Sequence, residues 1–425
     1  MPPLEAKNNY FVNPKTGNKF QIVGMAYQPG GSAGYKPEQG IDPLSDPEVC
    51  LRDAALMQLL GMNTIRVYNL DPKLNHDECV SIFNAGGMYM LIDVNSPKVG
   101  EALTSEKVWE SYYASYLERT FAIVEAFKDY PNTLAFFSGN EVIDKPENGE
   151  SVPPYIRSVT RDLKNYVKNH AKRPIPVGYS AADVRKILYD SWNYLQCAMD
   201  GDDDDMSKAD LFALNSYSWC GESTFKESGF DTLVDGFKNT SVPVFFSEYG
   251  CNTPSPRVWG EVHSIYGPDM TDVFSGGVVY EYTQEKNNYG LVEFNSDGSV
   301  SMLKDFTALA EQLGKIDFKA VQSQKPPSGP FPKAPACSSK LITTKNFATN
   351  FTIPAVPPGA QKLIDDGIKN PPSGKLVEVT KFKVDLKVKT TNGDLVKDLT
   401  LVKVDDDSFI SMSPVPAVDT ASPFY

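Results

Sequence analysis

Leu134-Ala135-Phe136-Phe137-Ser138-Gly139-Asn140-Glu141 runs almost continuously apolar and then stops on an amide and a carboxyl group. It does not alternate, so neither face is built for water. Such a run reads as a strand buried on both faces of a parallel sheet. Runs of the same kind recur about every forty residues along the chain. In order they are Phe20–Tyr27, Asn63–Tyr68, Tyr89–Val94, Thr133–Glu141, Pro174–Ser180, Leu211–Tyr217, Val242–Gly250 and Gly276–Gln284.

Helical patterns lie between these runs. Ser45-Asp46-Pro47-Glu48 offers a capping oxygen, a proline for the first turn and an acid near the positive end of the helix dipole. Cys50, Leu51, Ala54, Ala55, Met57 and Leu60 follow at helical spacing, and Gly61 supplies a left-handed stop. Val108–Tyr130 reads as one long helix, and Tyr155–Lys172 and Phe306–Leu313 as further helices. Eight strands alternating with helices give the rhythm of a (β/α)8 barrel, an α/β fold. An open doubly wound sheet would carry a glycine-rich phosphate loop after its first strand. Gly30-Gly31-Ser32-Ala33-Gly34 stands there, but Pro29 precedes it and Tyr35-Lys36-Pro37 replaces a helix start, so it reads as a loop.

The composition changes after Leu313. Residues 322–336 and 354–372 are rich in proline and read as extended linker. Lys375–Val404 alternates like strand, with Leu376, Val377, Val379, Phe382, Val384, Leu386 and Val388, and Thr391-Asn392-Gly393 is a hairpin-turn signal. The expected division is a catalytic barrel over residues 8–320, a proline-rich linker over 321–374 packed on or near it, a small β-rich appendage over 375–410 and a loose tail over 411–425.

The chain of 425 residues carries a net charge of -13 and shows no basic patch, which argues against nucleic acid and anionic membranes and favours a neutral substrate. No apolar run is long enough to span a bilayer. The first residues lack a signal-peptide core and the last ones lack an anchor tail, so either the protein is cytosolic or processed segments lie outside this sequence. The six cysteines, Cys50, Cys79, Cys197, Cys220, Cys251 and Cys337, form no Cys-x-x-Cys pair, and the histidines are scattered. No metal site is expected; three disulfides in an oxidising compartment suit the count, as six buried thiols also would. The sequons at Asn239 and Asn350 lean towards secretion and glycosylation. The acidic run Asp200–Asp205 lacks the spaced ligands of a calcium loop and reads as a solvated surface loop.

In a barrel of this kind, chemistry sits at the C-terminal ends of the strands. There the chain places Tyr27-Gln28, Arg66-Val67-Tyr68-Asn69, Asp93-Val94-Asn95, Gly139-Asn140-Glu141, Asn215-Ser216-Tyr217, Ser247-Glu248-Tyr249-Gly250 and Tyr280-Glu281-Tyr282. Glu141 and Glu248 stand out, because each closes a hydrophobic run where an unpartnered acid is costly. Strands four and seven end on opposite sides of the barrel mouth. Two carboxyl groups facing each other across a sugar are the equipment of glycoside cleavage. Tyr27, Tyr68, Tyr217, Tyr280 and Tyr282 present rings that stack on sugars or pack in a core. Arg66 is placed to orient an acid, or to make an ordinary salt bridge.

Gly24-Met25-Ala26-Tyr27-Gln28, Asn63-Thr64-Ile65-Arg66-Val67-Tyr68, Asn215-Ser216-Tyr217-Ser218-Trp219-Cys220 and Phe246-Ser247-Glu248-Tyr249-Gly250-Cys251, in that order, resemble the fungal β-1,3-glucanosyltransferases of glycoside hydrolase family 72. The resemblance covers about residues 8 to 370. It implies a (β/α)8 retaining transglycosylase that is secreted, usually lipid-anchored, and remodels cell-wall glucan. It implies Glu141 as acid/base and Glu248 as nucleophile. Gln28, Tyr68, Asp93, Asn140, Tyr217 and either Tyr280 or Tyr282 match sugar-contacting positions. The partners implied are β-1,3-glucan donor and acceptor chains, with no cofactor and a monomeric enzyme. The resemblance also implies the pairs Cys50–Cys79, Cys220–Cys251 and Cys197–Cys337. The sequence departs from some members in lacking a cysteine-rich carbohydrate-binding module after Cys337, and from others in lacking a Ser-rich stalk and anchor signal. The remaining alternatives are an endo-β-1,3-glucanase that ends on water, and a non-catalytic glucan-binding wall protein.

Overall fold

Eight parallel strands close into a barrel in the computed structural model, which describes residues 1–404. They are β1 (Ile22–Tyr27), β2 (Thr64–Val67), β3 (Tyr89–Asp93), β4 (Thr133–Asn140), β5 (Val177–Ala182), β6 (Leu211–Ser216), β7 (Val244–Tyr249) and β8 (Phe274–Val279). Each pairs with its neighbour in chain order, and β8 closes on β1 with Gly276 opposite Ile22. Gly276 has φ +84, and a Cβ there would meet the Ile22 carbonyl oxygen at 2.1 Å, so the closing seam demands glycine. The eight apolar runs are these strands, trimmed at their ends.

The outer ring is built from α1 (Pro47–Leu59), α2 (Asp77–Ala85), α3 (Ala114–Phe127), α4 (Pro153–His170), α5 (Leu188–Gln196), α6 (Phe230–Phe237), α7 (Glu261–Ile265) and α8 (Lys304–Gly314). A short α9 (Phe318–Ser323) follows. Asp46 caps α1 by accepting from the backbone N–H groups of Glu48 and Val49, and Gly61 turns the chain at φ +71. The single long helix expected over residues 108–130 is broken. Val108–Glu110 forms a 3-10 turn, and Tyr113 is extended before α3 begins. Ser111 explains the break, since its hydroxyl donates to the Val108 carbonyl and competes with a helical continuation.

Sequence reading missed the N-terminal hairpin, Glu5–Lys7 paired with Tyr10–Val12. Two three-residue strands are too short for a periodicity signal. Around it, Leu4, Phe11 and Phe20 pack with the inward-facing Ile22, Tyr89, Leu91, Phe137, Leu211, Phe245 and Val278, which fill the barrel from its N-terminal end up to the floor of the mouth.

After α9 the chain runs as a strap around the helices. Ala336 bridges to Ala198, Phe351 stacks on Tyr194 at 4.7 Å, and α10 (Ala360–Asp366) packs on α3 and α4. The β element at the C-terminal end is smaller than its alternation suggests. Only Val388–Lys389 is strand, added to Val300–Met302 and Val292–Phe294 to make a three-stranded sheet. The rest is extended chain whose apolar positions, Val384, Leu399 and Leu401, are buried. Its pairing partners are helices as well as strands: Val402 exchanges two hydrogen bonds with Gln58, and the Val404 N–H donates to the Ala85 carbonyl. The turn at 391–393 forms as expected, with the Gly393 N–H donating to Thr390. Residues 405–410 and the tail over 411–425 lie outside the described residues.

The six cysteines form three disulfides, Cys50–Cys79, Cys197–Cys337 and Cys220–Cys251, the pairing that the resemblance implies. The acidic loop is not wholly solvated. Asp205 forms an ion pair at 2.5 Å with the buried Arg157, which the Cys197 carbonyl also holds. No helix among the described residues is long and apolar enough to cross a membrane.

Candidate active site

Period-two alternation carries side chains from the apolar end of the barrel to its mouth. Along β3 the inward positions are Tyr89, Leu91 and Asp93; along β6, Leu211, Ala213 and Asn215; along β2, Thr64, Arg66 and Tyr68. The two glutamates come where this order breaks. The β6–β7 register shifts between Leu214 and Asn215, which brings Asn215 opposite Glu248. The β4–β5 register shifts between Phe137 and Gly139, just before Asn140 and Glu141. Bulges re-aim side chains, and here they turn the two carboxyl-bearing ends towards the mouth. Glu141 itself has φ +51, a left-handed conformation that costs a non-glycine residue on the order of 1 kcal/mol or more.

Arg66 is the hub. Fully buried, it donates to Asp93 through Nε (2.9 Å) and Nη2 (3.1 Å), to Asn140 Oδ1 (2.9 Å), to Asn215 Oδ1 (3.3 Å) and to Glu248 Oε1 (3.3 Å). Its guanidinium lies over the rings of Tyr68 and Phe137 at 4.4 and 4.8 Å. Asp93 therefore balances the arginine rather than lining the cleft freely. A guanidinium can only donate, so the Asn140 atom facing it is the carbonyl oxygen. That oxygen also accepts from Ser180 (2.8 Å) and Asn215 (3.0 Å), which leaves the Asn140 amide N–H groups for a ligand.

Glu248 is held at both oxygens. Oε1 accepts from Tyr68 (2.9 Å) and Arg66, and Oε2 accepts from Tyr217 (2.6 Å). Burial pushes its carboxyl up to about 7; the Arg66 charge and the Tyr217 and Tyr68 hydroxyls pull it down, while the neighbouring Glu141 adds to the rise. Glu141 is half-buried and accepts from Asn215 Nδ2 at 2.8 Å. Asn215, whose Oδ1 accepts from Arg66 and from Ser247, thus joins Glu141 to the network that holds Glu248.

Of the remaining expected residues, Gln28 and Tyr280 join this site and Tyr282 does not. The Gln28 amide donates to the Tyr280 hydroxyl oxygen at 3.3 Å. Tyr280 packs edge-on to Tyr217 at 6.2 Å. Tyr282 is fully buried behind the barrel wall, where it donates to Asp53 at 2.6 Å beside Tyr27, so it is a packing residue. The chain bends after Val279 and breaks the alternation that would have placed residues 280 and 282 on one face. Sequence reading placed Asn215 and Ser247 at the strand ends without giving either a role, and passed over Ser180 and Tyr289. Asn215 was reachable as an inward residue by counting in twos from Leu211. Tyr289 lies on the loop after β8, where its ring meets Tyr217 at 5.5 Å and Tyr280 at 5.4 Å; nothing local marks it.

The Cys220–Cys251 disulfide joins the loops that leave β6 and β7, three residues beyond Tyr217 and Glu248. This mouth, with two linked carboxyl groups, one buried between three donors, can perform nucleophilic and acid–base chemistry at one carbon.

Comparison with known proteins agrees with this geometry. Residues 1–317 match the family described as glucanosyltransferase. The chain belongs to glycoside hydrolase family 72. A 1,3-beta-glucanosyltransferase of this family, gel2 of Aspergillus fumigatus, is 50% identical over 399 residues, covering 94% of this chain and 82% of the relative. The probable 1,3-beta-glucanosyltransferase GAS3 of Saccharomyces cerevisiae is 44% identical, covering 89% and 75%. Among solved structures, Saccharomyces cerevisiae Gas2p in complex with laminaritriose and laminaritetraose superimposes with a TM-score of 0.73 at 33% identity, covering 86% of this chain and 80% of that one.

Proposed function

We propose that this family 72 member is a retaining 1,3-β-glucanosyltransferase, cleaving an internal linkage of one β-1,3-glucan chain and joining the new end to the non-reducing end of another. The observation that carries the reading is the Glu248 carboxylate, held by Arg66, Tyr68 and Tyr217 and linked through Arg66 and Asn215 to Glu141. Glu248 Oε2, the oxygen with the single donor, attacks the anomeric carbon. The bond to the leaving oxygen breaks, and that oxygen takes the proton of Glu141. The reducing-end fragment departs and a covalent glucosyl ester remains. Glu141, now a base, takes the proton of the acceptor 3-hydroxyl. The freed oxygen attacks the same carbon and expels Glu248, so two inversions give net retention. The free amide of Asn140 suits the sugar 2-hydroxyl, where hydrogen bonding strengthens in the transition state. No metal or organic cofactor enters either step.

Transfer rather than hydrolysis requires a sugar, not water, beside the ester. The edge-to-face tyrosines Tyr217, Tyr280 and Tyr289 offer such a surface. Three disulfides and the exposed Asn239 and Asn350 of the two sequons support secretion to the wall or the outer cell surface, with N-glycans at both sites. Incubating a borohydride-reduced β-1,3-gluco-oligosaccharide tests the reaction. Products longer than the substrate, with few new reducing ends, are expected. Shorter products alone, at high acceptor concentration, would leave an endo-β-1,3-glucanase.

A further inference from the structure

Arg257 is a buried cation for which the mechanism has no use. It lies on the loop after β7 and is 3% exposed. Burial pushes its guanidinium below the ordinary arginine value, and the Asp305 charge opposes that. Asp305, on α8, accepts from Nε at 2.5 Å and from the Arg257 backbone N–H at 3.1 Å. The guanidinium lies over the Trp259 ring at 4.1 Å, and the Trp259 indole N–H donates to the Asp305 carbonyl at 3.0 Å. Trp259 keeps that place at φ +55 while buried. Left-handed backbone at a bulky residue persists only where the surroundings impose it, and such positions cluster around functional sites.

This stack leaves both terminal nitrogens of Arg257 for the mouth. Nη1 donates to the Tyr280 carbonyl at 2.7 Å and reaches that of Gly250 at 3.4 Å. Nη2 donates to the Tyr289 carbonyl at 2.6 Å and reaches that of Gly290 at 3.5 Å. Other groups hold each tyrosine separately. The Tyr280 N–H donates to Tyr249, the Glu281 N–H donates to the Tyr289 carbonyl at 3.0 Å, and Asn252 donates to the carbonyls of Asn287 and Asn288. Among the described residues, Arg257 alone reaches the carbonyls of both tyrosines. A guanidinium carries its donors in a rigid plane, so it fixes the separation of the carbonyls it bridges. The two rings stand edge to face, 5.4 Å apart, and each also meets Tyr217. We propose that Arg257 is a positioning residue: it holds Tyr280 and Tyr289 at the spacing that seats the acceptor glucan, and so sets how often sugar rather than water resolves the ester. Being buried, it meets neither sugar nor the reacting carboxyl groups.

This rests on the transferase reading, so the unaltered enzyme is assayed first with the reduced oligosaccharide. Failure to elongate it defeats both readings; elongation followed by an unmoved product ratio in the variant defeats only the role of Arg257. The variant is Arg257→Lys. It keeps a cation beside Asp305, but its one nitrogen cannot meet Asp305 and both carbonyls where they now stand. The readout is the ratio of elongated product to new reducing ends. That ratio does not depend on how much of the enzyme is folded, so lost stability alone leaves it where it was. It should fall about 10-fold in Arg257→Lys and recover as the acceptor concentration is raised. Phe245→Ala, destabilised at the other end of the barrel, should keep the ratio of the unaltered enzyme. An unmoved ratio in Arg257→Lys, or an equal fall in Phe245→Ala, would overturn the assignment.

Discussion

The two ends of the barrel are made by the same eight strands and obey opposite rules. At the N-terminal end, Phe11, Phe20, Tyr89 and Phe245 fill the interior with edge-on rings, Phe11 on Phe245 at 5.8 Å and Phe20 on Tyr89 at 5.3 Å. At the C-terminal end, one guanidinium, three carboxyl groups and two amides share a space that is buried around Arg66 and opens to solvent at Asn140 and Glu141. The first arrangement is stable through packing alone. The second keeps an acid, Glu248, in a setting that opposes its charge. The contrast teaches that the aromatic end holds the strands in place while the polar end is bent away from its own optimum.

Three changes, one of them read twice, test that contrast, taken from the largest effect down. Glu248→Gln should abolish elongation, with a loss of at least about 10³-fold, because no nucleophile remains; near-normal turnover in a product-size assay would break the assignment. Phe245→Ala, at the other end, should cost on the order of 3–5 kcal/mol in a denaturant titration. The pH profile of the surviving activity should stay where it was, since no titrating group of the mouth is touched.

The third test returns to Glu248→Gln and reads stability. The folded-state carboxyl is raised from 4.5 to about 7, so protonation favours folding: its contribution is whole below pH 4.5 and is lost as pH rises through about 7. Removing the acid should therefore stabilise the protein above pH 7, by up to ~3 kcal/mol, and change little at pH 4.5. Equal melting temperatures of the two proteins at pH 8 would show that the polar end is not strained. The smallest effect concerns Tyr217→Phe. The nucleophile must be ionised, so kcat/KM should fall as pH drops through the Glu248 value. Losing a hydroxyl that favours the charge should move that acid limb about one unit higher. An unmoved limb would mean that Tyr217 serves only as a ring.

Much of this was legible in the chain. The eight runs announce themselves because strands covered on both faces must be apolar on both, and Asn140-Glu141 and Glu248 interrupt such runs at their ends. What sequence could not show were the departures from regularity. The bulges before Asn140 and at Asn215 decide that both glutamates reach the mouth, yet a bulge leaves no mark in a single sequence. Tyr280 and Tyr282 look equivalent at a spacing of two, and only the bend after Val279 sends one to the cleft and the other to Asp53. Residues 375–404 alternate faithfully, but alternation tells which face is covered and not by what. Here helices α1 and α2 share the covering with the small sheet.

The strap also has a mechanical meaning. Tension applied to the chain beyond Val404 meets its attachments in series: Val404 on Ala85, Val402 on Gln58, Leu401 on Phe382, then Val377 on Ser81. Links in series yield one after another, so the strap unzips at a force no single strong bond sets. Unzipping halts at Cys337, where the covalent link to Cys197 passes the load to the barrel wall. Residues 338–404 drawn straight span about 230 Å. A tethered molecule under strain would thus gain that much slack before any strand of the barrel bore weight.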